Sequence, residues 1–426
     1  MSESKPLTLQ VLQEAVSGAA AAFRCVSRLE PVGGRGDKVF PPTYAGAVYA
    51  REQRRVPGRD ELVECVLLDS VQSQANRMEE ALQAALDEGR VKIPVIEVDF
   101  SEADKDLLSA IRRVTSLQAP HRIADAILRD SLLGGKPFRQ TEEGKSLDKI
   151  SLANATALYE LCPTALVFGM WDSTGPKGGL GVKFQRAMVS EIVGIGAVYG
   201  VKTSSRIDPL QIMLNAGPLY RSAKEGNIGW TLDESQAMKE KKSAATLGKD
   251  GRPSEANHGN IVPSVSSLDR EGRPLSGGVT IASAEQTVTL SLPALRRLQF
   301  PLNGKTDVKV NAAGRTVLAA LGLCAAALAA EKGLDLRSRC LLWPTGPMNW
   351  ELLDRPGQPP VQVAMEAEAA IEVLKQAVTA AEKLGLRWRK EPLVLKPAPQ
   401  LVELVKKSQE LAAASGGDVD DGAEGK

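Results

Sequence analysis

The sequence predicts an α+β fold, and three observations lead to this prediction. Hydrophobic side chains make up 43% of the 426 residues and charged ones 25%, which is ordinary composition for one large or two medium globular domains. Apolar runs typical of buried strands alternate with helical spacing over the first hundred residues. A 15-residue apolar run at 316–330 is shorter than a bilayer requires and indicates a buried helix.

Periodicity and turn signals place the individual elements in order along the chain. Strands are predicted at 26–30 with the residues just before it, and at 62–69, 93–100, 164–170, 182–202, 278–292 and 340–343. Helices are predicted at 7–22, 71–88, 102–114, 121–133, 153–161, 293–298, 316–330, 361–384 and 400–413. Ser70 is expected to cap the helix that follows it, because its hydroxyl can accept from a free backbone N–H of the first turn.

We expect one elaborated domain over residues 1–414, carrying a long insertion and followed by a tail. Residues 215–277 are polar, rich in Gly, Ser, Lys and Glu, and contain the turn sequences GKDGRP and DREGRP. This composition predicts an arm, shaped as a hairpin, that projects from the body. Residues 415–426 are too polar to pack, and they predict a disordered acidic tail.

Charge and residue usage limit the classes of function. Lys and Arg total 53 against 52 Asp and Glu, so any nucleic-acid site must be a local patch, and residues 24–59 are the densest basic region. Only His121 and His258 are present, without an H-E-x-x-H motif. Five cysteines without a C-x-x-C indicate neither a disulfide framework nor a zinc site, and they fit a reducing cytoplasm. We expect no metal, no cofactor and no secretory signal.

A glycine-rich loop, residues 171–181, follows the predicted strand at 164–170. It departs from a P-loop because a valine separates its last glycine from the lysine, and from a serine elbow because a tryptophan replaces the first glycine. Lys177, Lys183 and Arg186 can still meet phosphate oxygens, and Trp171 can stack on a base. An ordinary turn and a nucleotide-binding loop remain as alternatives.

The helix after Ser70 offers a second set of groups suited to phosphate. The polar side chains near its N-terminus are Gln72, Ser73, Asn76 and Arg77. The positive end of the helix dipole favours anions there, although a solvated outer face is the plainer interpretation. Because this helix and the basic region both lie near strand ends of one β-α-β unit, they are expected to form a single groove.

Four longer strings closely resemble the backbone subunit of type I-G (formerly type I-U) CRISPR effector complexes, a family within the repeat-associated mysterious protein (RAMP) superfamily. They are RLEPVGGRGDKVFPPTYAG, LLDSVQSQANRMEEAL, ALVFGMWDSTGPKGGLGVKFQRAMVSEIVG and GGVTIASAEQTVTLSLPALRRLQFP. The strings span about residues 28–301, and weaker similarity continues to roughly residue 400.

The resemblance implies a modified RNA-recognition-motif core of ferredoxin-like β-α-β-β-α-β order, with large insertions including a thumb-like hairpin inside 215–277. It also implies a cytoplasmic, non-enzymatic subunit of a Cascade-like ribonucleoprotein in antiviral defence. Copies would align head to tail along a guide CRISPR RNA, which pairs with target DNA. Other effector subunits and a separate helicase-nuclease would be partners, without membrane contact. The residues implied to contact RNA are Arg28, Arg35, Lys38, Ser70, Gln72, Ser73, Asn76, Arg77, Trp171, Lys177, Lys183, Arg186, His258 and Asn260.

An enzyme is the main rival hypothesis. In related type III complexes the backbone subunit cleaves target RNA with an aspartate on the loop after its first strand, and Asp37 occupies the corresponding loop here. If Asp37 bound a divalent metal, the protein would be a guided endoribonuclease. Arg35 and Lys38 flank it, however, and an acid beside cations more often forms an ion pair.

Overall fold

The computed structural model describes residues 4–102, 112–173, 175, 181–223, 228–240, 243–266, 268, 272 and 276–414. The chain divides into two compact units. The first comprises residues 1–42, 50–197 and 281–410, and the second comprises residues 43–49, 198–280 and 411–426. The predicted arm at 215–277 falls within the second unit, and the predicted tail at 415–426 lies outside the described residues.

The helices of the described residues are α1 (Leu9–Ser17), α2 (Val71–Asp87), α3 (Ala126–Arg129), α4 (Glu142–Ser146), α5 (Thr156–Leu161), α6 (Thr164–Phe168), α7 (Leu292–Arg296), α8 (Val308–Glu331), α9 (Ala367–Glu382) and α10 (Pro399–Ala414). The strands that build the larger sheets and ribbons are β1 (Lys5–Pro6), β2 (Ala22–Pro31), β3 (Arg51–Arg55), β4 (Leu62–Asp69), β5 (Ile96–Asp99), β6 (Arg113–Thr115), β7 (Ser131–Leu133), β8 (Lys136–Pro137), β9 (Met170–Trp171), β10 (Lys183–Phe184), β11 (Met188–Ile195), β12 (Lys202–Arg206), β13 (Ile261–Ser266), β14 (Ser283–Ser291), β15 (Leu334–Asp335), β16 (Leu341–Pro344), β17 (Trp350–Leu353), β18 (Val361–Ala364) and β19 (Leu393–Pro397).

The main sheet of the first unit has ten strands in the order β1-β18-β17-β2-β14-β11-β4-β3, with β16 and β15 attached beside β2. Its central strands alternate in direction. Strand β14 lies between β2 and β11 and runs antiparallel to both, and β2 lies between β14 and β17 and runs antiparallel to both. Helix α2 lies between β4 and β11 in the chain, and α8 lies between β14 and β17. The predicted α+β class is confirmed, whereas the recognition-motif core remains a prediction.

Helices cover one face of this sheet. Along β14, Gln286, Val288 and Leu290 are buried beneath them, whereas Glu285 is exposed on the opposite face. Helix α8 packs against α1, α2 and α9 as well as the sheet. It is long and apolar enough to span a bilayer, but 78% of its most apolar window is buried inside the fold. The prediction of a buried helix at 316–330 is therefore confirmed.

A smaller sheet in the first unit has the order β8-β7-β19-β5-β6, with β19 and β5 parallel. In the second unit, β12 and β13 form a two-stranded antiparallel ribbon whose strand β13 is exposed along its whole length. The Asp208 carboxylate accepts from the backbone N–H of Gly259 at 2.6 Å, and Asn260 Oδ1 accepts from the Asp208 N–H at 2.7 Å. Both bonds lie at the end of the ribbon, and the bond from the Gly259 N–H is the main cause of the lowered pKa of Asp208.

Three predicted elements are wrong in type over part or all of their length, and most of a fourth, the helix predicted at 102–114, lies outside the described residues. Residues 164–170 were expected as a strand, but 164–168 form helix α6, all of it buried, after Pro163. Residues 121–133 do not form one helix, because the Asp125 side chain caps the short α3 and β7 begins at Ser131. The helix expected from residue 361 begins at Ala367, after the β-branched strand β18. Short apolar runs fit the periodicity of a helix and that of a strand equally well, so packing against neighbouring elements determines which of the two forms.

A buried ion pair joins α2 to the loop that precedes α3. Arg122 Nε and Nη2 donate to the two carboxylate oxygens of Glu79, both at 2.7 Å, and Arg122 Nη1 donates to the Gly169 carbonyl at 3.1 Å. Burial raises the pKa of Glu79, and the adjacent Arg122 guanidinium acts in the opposite direction. Arg122 adopts a left-handed φ of +52°, a conformation that persists only where surrounding contacts enforce it.

We predict that Arg122→Met lowers the free energy of unfolding by about 3–5 kcal/mol, because Glu79 would remain buried without its cation. The double variant Glu79→Leu with Arg122→Met should recover part of that loss, since it leaves no unpaired charge. Urea unfolding of all three proteins measures both effects. Lys390→Gln is the matched control, because the Lys390–Glu382 pair is exposed and should change stability by about 1 kcal/mol or less. Equal losses for Lys390→Gln and Arg122→Met would contradict the structural role of the pair.

Candidate nucleic-acid interface

Helix α2 begins as the sequence predicts. Ser70 is its N-cap, and its Oγ accepts from the Ser73 N–H at 3.2 Å and donates to Ser73 Oγ at 3.2 Å. Both hydroxyls therefore close the first turn of the helix. Gln72 and Asn76 are exposed on the same turns, with their amides directed away from the core. The amides, rather than the hydroxyls, are the groups that this helix leaves for a ligand.

Arg77, a predicted RNA contact, already forms hydrogen bonds with other residues of the protein. Its Nε donates to the fully buried Asp69 carboxylate at 2.8 Å, and its Nη2 donates to the Leu336 carbonyl at 2.5 Å. Arg337 Nη2 donates to the same carboxylate at 3.1 Å. Asp69 is the last residue of β4, so the two arginines join α2 to the segment after β15. Arg77 stays a predicted RNA contact, but its replacement would also remove this support.

A two-stranded ribbon, β9 with β10, presents the tryptophan and lysine of the glycine-rich segment. Met170 pairs with Phe184 and Trp171 pairs with Lys183. The first pair is buried, and the second is exposed because successive side chains of a strand point to opposite faces. Lys183 Nζ lies 4.3 Å from the centroid of the Trp171 ring, within cation–π distance.

These elements surround a groove of about 930 Å³ on the first unit. Five predicted RNA contacts line it: Gln72, Asn76, Trp171, Lys183 and Arg186. Its lining also includes residues that the sequence analysis did not select, among them His121, Arg122, Gln185 and Arg297. No acidic side chain occurs among the described residues that line it. The groove therefore combines amides, cations and an exposed aromatic ring, which suits a sugar-phosphate strand.

The wall of the groove depends on Gly169. Its φ is +85°, and a Cβ there would lie 3.0 Å from Arg186 Cγ, so a larger residue would displace that arginine. The Gly169 carbonyl accepts from Arg122, whose guanidinium also binds Glu79 on α2. One buried arginine thus connects the two walls of the groove.

Arg297 shows why part of the lining escaped prediction. It follows Arg296 in the string LPALRRLQF, and nothing local distinguishes the two. Arg296 Nη2 donates to the carbonyls of Ala15 and Ala20 at the end of α1, whereas Arg297 reaches the groove and donates to Gln185 Oε1 at 2.9 Å. Only the packing of α7 separates a structural arginine from an available one.

Three predicted contacts from β2 and the loop after it are not among the residues that line this groove. Arg28, on β2, is opposite Glu285 of β14, and Arg35 pairs with Glu30 at 3.4 Å while its side chain stays 83% exposed. The half-buried Lys38 follows Asp37 in the loop after β2. The lining of this groove does not include these three residues, so the expectation that both groups share a single groove stays a prediction for them.

Two predicted contacts belong to the second unit, and one is not described. His258 packs edge-on against Trp230 with the ring centroids 6.2 Å apart, and Asn260 holds the Asp208 backbone. Both residues thus have structural partners inside that unit. Lys177 lies outside the described residues, as does most of the glycine-rich loop between 174 and 180.

The chain has no match among curated proteins. Residues 23–198 match the family model described as CRISPR-associated protein GSU0053. The matched segment runs from β2 to the end of β11, and it contains α2, the β9–β10 ribbon and the Glu79–Arg122 pair. Over this segment the chain is similar to a family of CRISPR-associated proteins, and the similarity supports a role in CRISPR defence.

Proposed function

We propose that this protein is the backbone subunit of a CRISPR effector complex of the type I-G kind, and that it binds the guide RNA. The observation that carries the proposal is the groove. Gln72 and Asn76 come from α2, whereas Trp171, Lys183 and Arg186 come from a segment about a hundred residues later, and all five line one surface without a described acid. Phosphate contacts position a strand without reading its sequence, as a guide-binding subunit requires.

The strand order supports a recognition-motif core. In a split β-α-β arrangement, the two parallel strands of each unit enclose a strand of the other unit. Strands β2 and β11 enclose β14, and strands β14 and β17 enclose β2. Helices α2 and α8 occupy the two crossover positions in the chain.

The open face of the sheet favours the groove as the RNA site. Ordinary recognition motifs stack bases on aromatic residues of their central strands. The outward positions of the fully described strands β2 and β14 carry no aromatic residue, and Glu285 is exposed there. Arg24 on this face is already paired with Glu351 at 2.6 Å. We infer that RNA follows the α2 side rather than this ion-paired face.

In this role the chain acts in the cytoplasm, without a cofactor and without cleaving nucleic acid. Copies associate head to tail along the guide, and a contact of this kind does not close on itself, so RNA length sets the number of copies. Target DNA meets the guide by base pairing. Other effector subunits and a separate helicase-nuclease complete the complex.

Lys183→Glu is expected to weaken binding of guide-length single-stranded RNA at least tenfold at low salt, because it places an acid in a groove lined by cations. Binding by the wild-type protein should fall steeply as salt rises, and filter binding across a salt series measures both effects. Lys375→Glu is the matched control, since Lys375 is exposed on α9 outside the groove. Salt-independent binding, or equal losses in both variants, would count against the proposal.

We propose that Asp37 shapes its loop and has no role in RNA cleavage. Its Oδ1 accepts from the Lys38 N–H at 2.8 Å, and the carboxylate lies 4.0 Å from Arg339. The guide-loaded protein, incubated with complementary RNA and Mg²⁺, should therefore yield no regularly spaced fragments. Fragments that disappear in Asp37→Ala would establish the endoribonuclease alternative instead.

A further inference from the structure

Trp171 and Lys183 form a cation–π pair at the surface, where burial does not require the contact. Trp171 is 50% exposed although tryptophan is among the largest apolar side chains, and the ammonium of Lys183 covers its ring at 4.3 Å. Both side chains line the groove. The Lys183 ammonium thus occupies one face of the indole ring, and Lys183 itself is exposed to solvent.

The ribbon beneath the pair is firmly held. Met170 and Phe184 are buried directly behind it. The next residue, Asp172, is buried and pairs with Arg139, and its N–H donates to the Val182 carbonyl at 3.3 Å. The acid that follows Trp171 in the chain is therefore ion-paired, and hydrogen bonds join the backbones of both strands while the outer side chains remain exposed.

A nucleobase and an ammonium compete for the same indole face. The face attracts cations through its quadrupole, and it attracts bases through stacking. A base that stacks on Trp171 must displace Lys183, and the strand that brings the base also brings a phosphate to pair with the released ammonium. The two exchanges compensate each other, so the lysine loses no partner when the strand binds.

We propose that Trp171 is the stacking platform for one base of a single-stranded RNA, and that Lys183 moves from the indole ring to a backbone phosphate when that base docks. This inference rests on the proposed RNA-binding function and adds the residue that holds a base. Every base has a π face, so the platform accepts any sequence, as a guide-binding groove must.

The experiment compares a uridine oligoribonucleotide with an abasic oligomer of the same length, each labelled with fluorescein. We expect the wild-type protein to bind the uridine strand more tightly, and Trp171→Leu to weaken that binding about tenfold while leaving abasic binding unchanged. Trp171→Phe, which keeps an aromatic face, should retain part of the difference. Trp343→Leu is the matched control, because Trp343 is 64% exposed and does not line the groove.

A salt series tests the movement of the lysine. Lys183→Met should reduce the slope of log affinity against log salt by about 0.7, the loss of one phosphate contact to a single strand. An unchanged slope would overturn the exchange, and equal weakening of both oligomers by Trp171→Leu would overturn the stacking platform. If the wild-type protein bound neither oligomer at low salt, the RNA-binding function itself would fail, which is a different outcome from binding without discrimination.

Discussion

The bidentate contact between Arg122 and Glu79 is the constraint on which the candidate interface depends. It places a cation beneath the groove and ties α2 to the loop that ends at Gly169. The cost of burying two charges is offset by three hydrogen bonds, two from the Arg122 guanidinium to the Glu79 carboxylate and one to the Gly169 carbonyl. Because the pair is buried and bidentate, it holds α2 beside the residue that precedes the β9–β10 ribbon without any ligand.

A second consequence of the fold is that cations near the groove divide into two classes. Arg77, Arg337 and Arg296 bind a buried carboxylate or helix-end carbonyls and hold elements together. Lys183 extends from the exposed side of a ribbon whose inner side is apolar, and Arg186 is exposed two residues after that ribbon. Cations of the second class can move to the phosphates of a nucleic-acid strand without removing a contact that supports the fold. The groove thus keeps its shape independently of the groups that it offers to nucleic acid.

Local sequence was sufficient where the determinants are local. The strand at 62–69, the Ser70 cap and the buried helix at 316–330 follow from apolar runs and one hydroxyl, and the structure agrees. The contact of α2 with the segment at 171–186 required the resemblance to a family, since its residues are about a hundred positions apart. Arg297 and Arg122 were missed because their availability depends on how α7 and the loop before α3 pack. The pairing of Arg77 with Asp69 was not foreseen, because Asp69 lies on a strand eight residues earlier, where spacing rules for helices do not apply.

Helix α8 also affects how the chain must be synthesised. It is apolar nearly all round, and its coverage comes from α1 and α2 before it and from α9 after it. A chain synthesised only as far as residue 366 lacks α9 and leaves one flank of α8 without its apolar cover. We therefore expect such truncated chains to expose a large apolar patch and to aggregate.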